Sequence, residues 1–199
     1  MFDLQNFKNN VAVITDRGAS LTYGQLSEEV ERMATAFPRK GLVFTLCENL
    51  LGSFVGYVAC MNKHIPQVLL DGSKDLELVQ RLIGIYQPEY IWIPSDRVQE
   101  VSEGFKVVYE YATYSLLETG FTTQTISPEL LLCLTTSGST GSPKLVRLSE
   151  RNLQSNAESI AEYLHINENE RPVTSLPMYY SYGMSVINSH LIKGATILL

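Results

Sequence analysis

Four short, predominantly apolar runs constrain this chain most: LVFTLC (42–47), PQVLL (66–70), EYIWIP (89–94) and LLLCLTT (130–136). A strand that is apolar on both faces must be covered on both, and a parallel sheet between layers of helix does this. The segments between the runs have helical spacing. Thr22 starts a T-x-x-Q capping box with Gln25, and Leu26, Val30, Met33 and Phe37 follow on one stripe until Pro38 and Gly41. Asn49 opens a second helix through Val58 to about residue 62. A third helix is predicted over about 75–86, with Leu78, Leu82 and Ile85 on its stripe. FKVVYEY (105–111) is a further strand. The fold class is therefore α/β, with a parallel sheet sandwiched by helices.

LETGFTTQTISPE (117–129) is polar, carries Gly and Pro, and reads as a connector. It divides the chain into a first α/β unit, residues 1–129, and a second, residues 130–199. In the second unit LLLCLTT and KLVRLS (144–149) form an antiparallel hairpin. A helix capped by Ser149 follows, burying Leu153, Ala157, Ile160 and Leu164. SLPMYYSYGM (175–184) leads into another helix, and GATILL (194–199) is a last strand with no element after it. That ending reads as a second α/β unit cut short, with an unpaired edge from Ala195 to Leu199 that favours self-association.

The chain has 199 residues, 45% of them hydrophobic and 18% charged, which suits a globular protein and excludes disorder. A formal charge of −6 argues against nucleic acid as a partner, because phosphate neutralisation needs basic surface. It leaves room for a small anion, which answers to local groups. Cys47, Cys60 and Cys133 lie apart in apolar runs and read as reduced, buried thiols, with no paired spacing for zinc. No basic-then-apolar leader opens the chain, and the longest uncharged apolar-rich run, Leu50 to Met61, is too short to span a bilayer. The reading is cytoplasmic.

Chemistry concentrates in TTSGSTGSPK (135–144). Gly138 and Gly141 let the main chain approach a ligand, and successive backbone N–H groups in such a turn make an anion cradle. Thr136, Ser137, Ser139 and Thr140 add hydroxyl donors, and Lys144 adds a point charge. Small polar residues are also common in surface hairpin loops with no ligand. Two other motifs fail on counting: five positions after Gly138 comes Pro143, so there is no Walker A loop, and Thr140 excludes a G-x-S-x-G elbow.

From Thr136 to Lys144 the segment matches [ST]-[ST]-G-[ST]-T-G-x-P-K, and so resembles the phosphate loop of the adenylate-forming acyl-CoA synthetases, luciferases and peptide-synthetase adenylation domains. Other segments agree in order: LTYGQL (21–26), IPQVLLD (65–71, similar to AYVPLD), Arg151-Asn152-Leu153, and LPMYYSYGM (176–184, similar to LPLFHxxGL). Leu145 stands where that family has Gly, and His64 or Ile65 near its Gly before AYVPLD; His64 reads as a structural or exposed residue. Tyr180 stands where many members carry His, keeping an aromatic wall and one hydroxyl but no cationic ring.

The resemblance implies the first subdomain of an adenylating-enzyme N-terminal domain and the start of a second. It also implies an AMP-forming ligase using ATP and Mg2+, with Thr136, Ser137, Gly138, Ser139, Thr140, Gly141 and Lys144 binding the nucleotide and Tyr180 the acid. The partners implied are a small carboxylic acid, ATP, and coenzyme A or a carrier-bound pantetheine as acceptor. The family's adenine and ribose motifs, its metal-binding Glu and its catalytic lysine come later in the chain. The main catalytic groups are therefore expected beyond Leu199, no metal ligand or catalytic group is assigned within residues 1–199, and this segment alone is expected to be inactive. The alternative is a stand-alone, non-catalytic nucleotide- or anion-binding module.

Overall fold

A computed structural model describes residues 1–73, 76–101, 104–122, 125–135 and 144–199. The chain starts with a hairpin, β1 (Val11–Ile14) and β2 (Ser20–Thr22), followed by α1 (Tyr23–Thr35). Thr22 accepts from the Gln25 amide at 3.2 Å, and the Gln25 side chain accepts from the Thr22 amide at 2.8 Å, so the predicted capping box forms. β3 (Val43–Cys47), α2 (Leu51–Asn62), β4 (Gln67–Asp71), α3 (Leu76–Tyr86) and β5 (Tyr90–Pro94) alternate as predicted. Leu50 caps α2, one position after the predicted start at Asn49, whose side-chain amide instead donates to the Thr174 carbonyl at 2.6 Å. After the short helix α4 (Val98–Val101) come β6 (Lys106–Tyr111) and β7 (Tyr114–Glu118). The second half holds β8 (Leu130–Thr135), β9 (Leu145–Ser149), α5 (Glu150–Tyr163), α6 (Ser181–Leu191) and β10 (Ile197–Leu198).

Seven strands share one sheet in the order β6-β7-β5-β3-β4-β8-β9. Its four central strands, β5, β3, β4 and β8, are parallel, and both flanks are antiparallel. Hydrogen bonds between β4 and β8 cross the 129/130 boundary, with Leu69 opposite Leu134. Alternate residues of each strand face opposite layers. Val43, Leu69, Trp92 and Leu132 pack with α1, α2, α5 and α6, whereas Phe44, Val68, Ile91 and Cys133 pack with α3 and α4. This accounts for the apolar runs.

Several local expectations are corrected. Tyr114–Glu118 is a strand, buried between β5 and β6, and the connector starts only after it. Helix α1 ends at Thr35, so Phe37 packs from the following turn. Helix α3 buries Leu76, Val79, Leu82 and Ile83, and leaves Ile85 68% exposed. Helix α5 buries Leu153, Ala157 and Ala161, while Leu164 is exposed.

The expected unpaired edge from Ala195 to Leu199 is also overturned. β10 pairs in parallel with β1, and the Leu199 amide extends that ladder by donating to the Ile14 carbonyl at 2.9 Å. On the other side of the strand, Leu198 donates to Pro172 and accepts from Thr174, both at 2.9 Å. The Leu199 side chain is half-buried against the core cluster that includes Val13 and Ile197. The physical reason is that β1 and β2 form a small sheet of their own, whose open side takes up β10, a pairing between segments some 180 residues apart.

The fold buries, fully or in part, several weakly acidic thiols and phenols. Burial pushes Cys60 and Tyr111 up to about 12 and Cys133 up to about 11, and raises Cys47, Tyr23, Tyr57 and Tyr114 further. A group whose folded pKa is raised contributes stability that is intact below its unfolded value and lost above it. Melting temperature is therefore expected to hold level up to about pH 9 and to fall steeply above about pH 10. A differential-scanning series from pH 7 to 11 checks this.

Candidate nucleotide and acid site

The parallel strands β3, β4 and β8 point their C-terminal ends at one edge of the sheet, where loops gather in an open α/β fold. β8 enters the phosphate-loop segment there and β9 leaves it, with Thr135 paired to Leu145. Thr136, Ser137, Gly138, Ser139, Thr140 and Gly141 lie outside the described residues. What the structure describes is their mounting: an antiparallel strand after the loop, then a helix whose first residue is Glu150. Ser149 caps that helix by accepting from the Asn152 amide at 3.2 Å. The strand–loop–strand arrangement is the predicted one, and it separates this loop from a Walker-type strand–loop–helix. Lys144 sits exposed just ahead of β9.

A cleft of about 670 Å³ opens beside the loop's root, between the hairpin and helices α5 and α6. Leu134, Leu148 and Met184 form its apolar part, and Tyr180 is one wall, 54% exposed. Tyr180 is the N-cap of α6 and makes no side-chain capping bond. The structure thus places Tyr180 beside the end of β8. Leu199, beyond which the main catalytic groups are expected, lines no part of this cleft; it sits in the small sheet with β1.

Two features had no signal in the sequence. Tyr179 donates its hydroxyl to Asp71 Oδ2 at 2.8 Å, tying the turn before α6 to the end of β4, and its ring lies 4.7 Å from that of Tyr180. Burial and the bond to the Asp71 carboxylate both push the Tyr179 phenol up. Asp71 Oδ1 accepts from the Ser73 amide and hydroxyl, so both carboxylate oxygens are engaged. Across the cleft, Ser185 on α6 donates to Asn156 on α5 at 3.3 Å and to the Ser181 carbonyl at 2.7 Å. Tyr179 and Asp71 are 108 positions apart, and Ser185 and Asn156 are 29 apart, beyond the reach of any local pattern.

Helix α6 is held from below. Tyr57 donates to Asn188 Oδ1 at 2.7 Å, and Ser53 contacts the Met178 sulfur at 3.4 Å. Gly183 lets α6 start directly beneath the preceding turn, because a Cβ there would meet the Leu176 carbonyl at 2.6 Å. His64, predicted as structural or exposed, lies at the surface, where Nδ1 is 3.4 Å from Glu150 Oε2. Among the described residues no three His, Cys, Asp or Glu side chains converge to hold a metal ion, and no helix is long and apolar enough to cross a membrane.

The chain is similar to adenylating proteins throughout its length. It is 23% identical over 196 residues to the 2-succinylbenzoate–CoA ligase of Haemophilus influenzae, covering 96% of this chain and 40% of the ligase. To the D-alanine–D-alanyl carrier protein ligase of Bacillus velezensis it is 28% identical over 190 residues, covering 89% of this chain and 37% of the ligase. It spans 5% of the Aspergillus niger hybrid PKS-NRPS synthetase pynA, at 22% identity over 201 residues. The chain thus spans about two fifths of the ligases it matches, and far less of the synthetase. In fold it superposes on o-succinylbenzoate CoA synthetase from Bacillus subtilis, solved with its acyl-adenylate intermediate, at a TM-score of 0.77 and 20% identity, covering all of this chain and 56% of that one. The Vibrio cholerae adenylation domain AlmE, solved with glycyl-adenosine-5'-phosphate, superposes at 0.79 with 16% identity, covering 98% and 43%. The family profile described as AMP-binding enzyme matches residues 3–199, and the chain belongs to that family.

Proposed function

We propose that this chain is the N-terminal part of a cytoplasmic, ATP-dependent carboxylic acid ligase that forms an acyl-adenylate and passes the acyl group to a thiol, of coenzyme A or of a carrier. The observation that carries the reading is the phosphate-loop motif on a β8–β9 hairpin beside an open cleft walled by Tyr180. In the first step a carboxylate oxygen bonds to the α-phosphorus of ATP, and the bond to the bridging oxygen breaks, releasing pyrophosphate. Two anions must meet, so the chain's task is to hold donors and reactants in line. The loop from Thr136 to Gly141 would hold the β- and γ-phosphates, Lys144 would supply charge, and Tyr180 would position the acid. The described residues hold no acidic cluster for Mg2+.

We further propose that residues 130–199 start a second unit, that the main catalytic groups follow Leu199 in a full-length protein, and that the 199-residue chain does not make acyl-AMP on its own. Held mainly through water-exposed phosphate contacts, Mg-ATP is expected to bind it no tighter than about 1 mM, roughly −4 kcal/mol. Exposed Val173, Leu176, Tyr180 and Tyr182 favour self-association of the isolated chain, which sedimentation velocity would show. Calorimetry with Mg-ATP on the chain, and pyrophosphate exchange on a full-length protein containing it, test the reading. Micromolar binding by the chain, or exchange by it above background, would show a complete site here. A full-length protein with no exchange for any acid would leave the anion-binding module as the better account.

A further inference from the structure

We propose that Tyr179 and Asp71 are positioning residues for the acid. Their hydrogen bond ties the turn that carries Tyr180 to the strand next to the phosphate loop, and so sets how far apart the two halves of the site stand. This rests on the ligase reading above and deepens it. β4 and β8 are neighbouring parallel strands, with Leu69 opposite Leu134. Asp71 is the last residue of β4, and Thr135, after which the loop begins, is the last of β8. Strand residues alternate in direction, so Asp71 faces the same layer as Leu69, the layer that holds α6. This anchor is itself fixed. The Gly72 amide donates to the Cys47 carbonyl at 2.9 Å, and Asp71 Oδ1 accepts from the Ser73 amide at 3.0 Å and its hydroxyl at 2.7 Å.

The tethered end has less to hold it. Tyr180 makes no side-chain capping bond and is exposed, but its ring packs on that of Tyr179, with centroids 4.7 Å apart and planes 38° apart. Met178, one residue earlier, is buried and meets Ser53 only through its thioether, a weak acceptor. The Tyr179 hydroxyl donates at 2.8 Å to a carboxylate, the stronger kind of hydrogen bond. It fixes the Tyr179 ring, and through that ring the position of Tyr180. Further along α6, Tyr57 donates to Asn188 Oδ1 at 2.7 Å, with both residues buried. The body of the helix is therefore held to α2 independently of Tyr179. Losing the Asp71 bond releases the turn over 176–180 without releasing the helix, and a small displacement of a substrate-holding group is enough to slow a reaction.

The test is pyrophosphate exchange by the full-length protein with a broad panel of carboxylic acids, including benzoate, octanoate, malonate and L-leucine, and KM measurements with the best of them. Tyr179→Phe, which removes only the hydroxyl, is expected to raise the KM for that acid about 3- to 10-fold and to leave the KM for ATP within about twofold. Asp71→Ala should do the same. The double variant should be no worse than the worse single one, because the same bond is lost in all three. Tyr57→Phe is the structural control. It leaves the buried Asn188 oxygen unpaired, so melting temperature should fall while the ratio of the two KM values holds. A further readout needs no acid: 3-fluorotyrosine in place of Tyr180 should give one fluorine line in the parent and a broadened or split line in Asp71→Ala. Equal changes in both KM values, additive effects in the double variant, or an unchanged fluorine line overturns this inference and leaves the ligase reading standing. Exchange with no acid at all overturns both.

Discussion

Lys144→Ala, made in a full-length protein containing this segment, is expected to lower adenylation efficiency about 10- to 100-fold, the worth of one charge-assisted contact of about 1.5–3 kcal/mol. The ladder between β8 and β9 fixes where this side chain starts, one residue ahead of Leu145, which pairs with Thr135 at the loop's root. Its charge therefore arrives at the same edge of the sheet as the loop. Gly141→Val should cost at least as much if that glycine holds a positive φ, which a β-branched residue does not accept. Melting temperature without nucleotide should change little in Lys144→Ala, because that exposed side chain contributes little packing. The decisive comparison is exchange rate against melting temperature: normal exchange in both variants removes the loop from the mechanism.

Gly56→Val is expected to destabilise the fold by about 3 kcal/mol or more, without touching the candidate site. Helix α2 lies against β5 so closely that a Cβ at Gly56 would overlap the Trp92 indole. The indole cannot move aside. It is fully buried, donates to the Gly52 carbonyl at 2.9 Å, and packs between Tyr109 and Tyr114 with ring centroids at 6.2 and 5.4 Å. Gly52, one turn earlier, has the same constraint, since a Cβ there would meet the Ala112 carbonyl at 2.7 Å. The two glycines form a smooth stripe that sets the distance between helix and sheet. Chemical denaturation followed by Trp92 fluorescence reads the loss directly. A variant as stable as the parent would show that the helix can lift away at no cost.

Much of this architecture is legible in the sequence because the central strands are buried on both faces and must be apolar throughout. Where burial is one-sided or at a flank, the pattern weakens. β7 escapes it because Ser115 and Glu118 interrupt its apolar residues, although Ser115 is buried and contacts Ser95 and Glu110. α3 shows in the spacing but turned the wrong way. It is apolar on several sides, so spacing alone does not say whether Ile85 or Ile83 faces the sheet. Nor does an apolar run at residues 195–199 say that its partner is β1, at the far end of the chain. The phosphate-loop motif is readable because its chemistry is contiguous. The bond from Tyr179 to Asp71 and the pairing of Asn156 with Ser185 depend on how separate elements meet, and no stretch of sequence encodes that meeting.

The pairing of β1 with β10 has a consequence for how the chain is made. Val13 lies opposite Ile197, the Tyr23 hydroxyl donates to the Ala195 carbonyl at 2.7 Å, and Asn10 donates to the Gly194 carbonyl at 3.2 Å. During translation the first hairpin therefore emerges long before its partner strand exists, and β1 must wait with one edge open while some 180 residues are added, roughly 10–40 s at ordinary elongation rates. The central sheet has no such delay, since β3, β4 and β5 follow one another closely. Synthesis thus separates an early-forming middle from a late closure of the two ends, and closing so long a loop is among the slower steps open to a domain of this size.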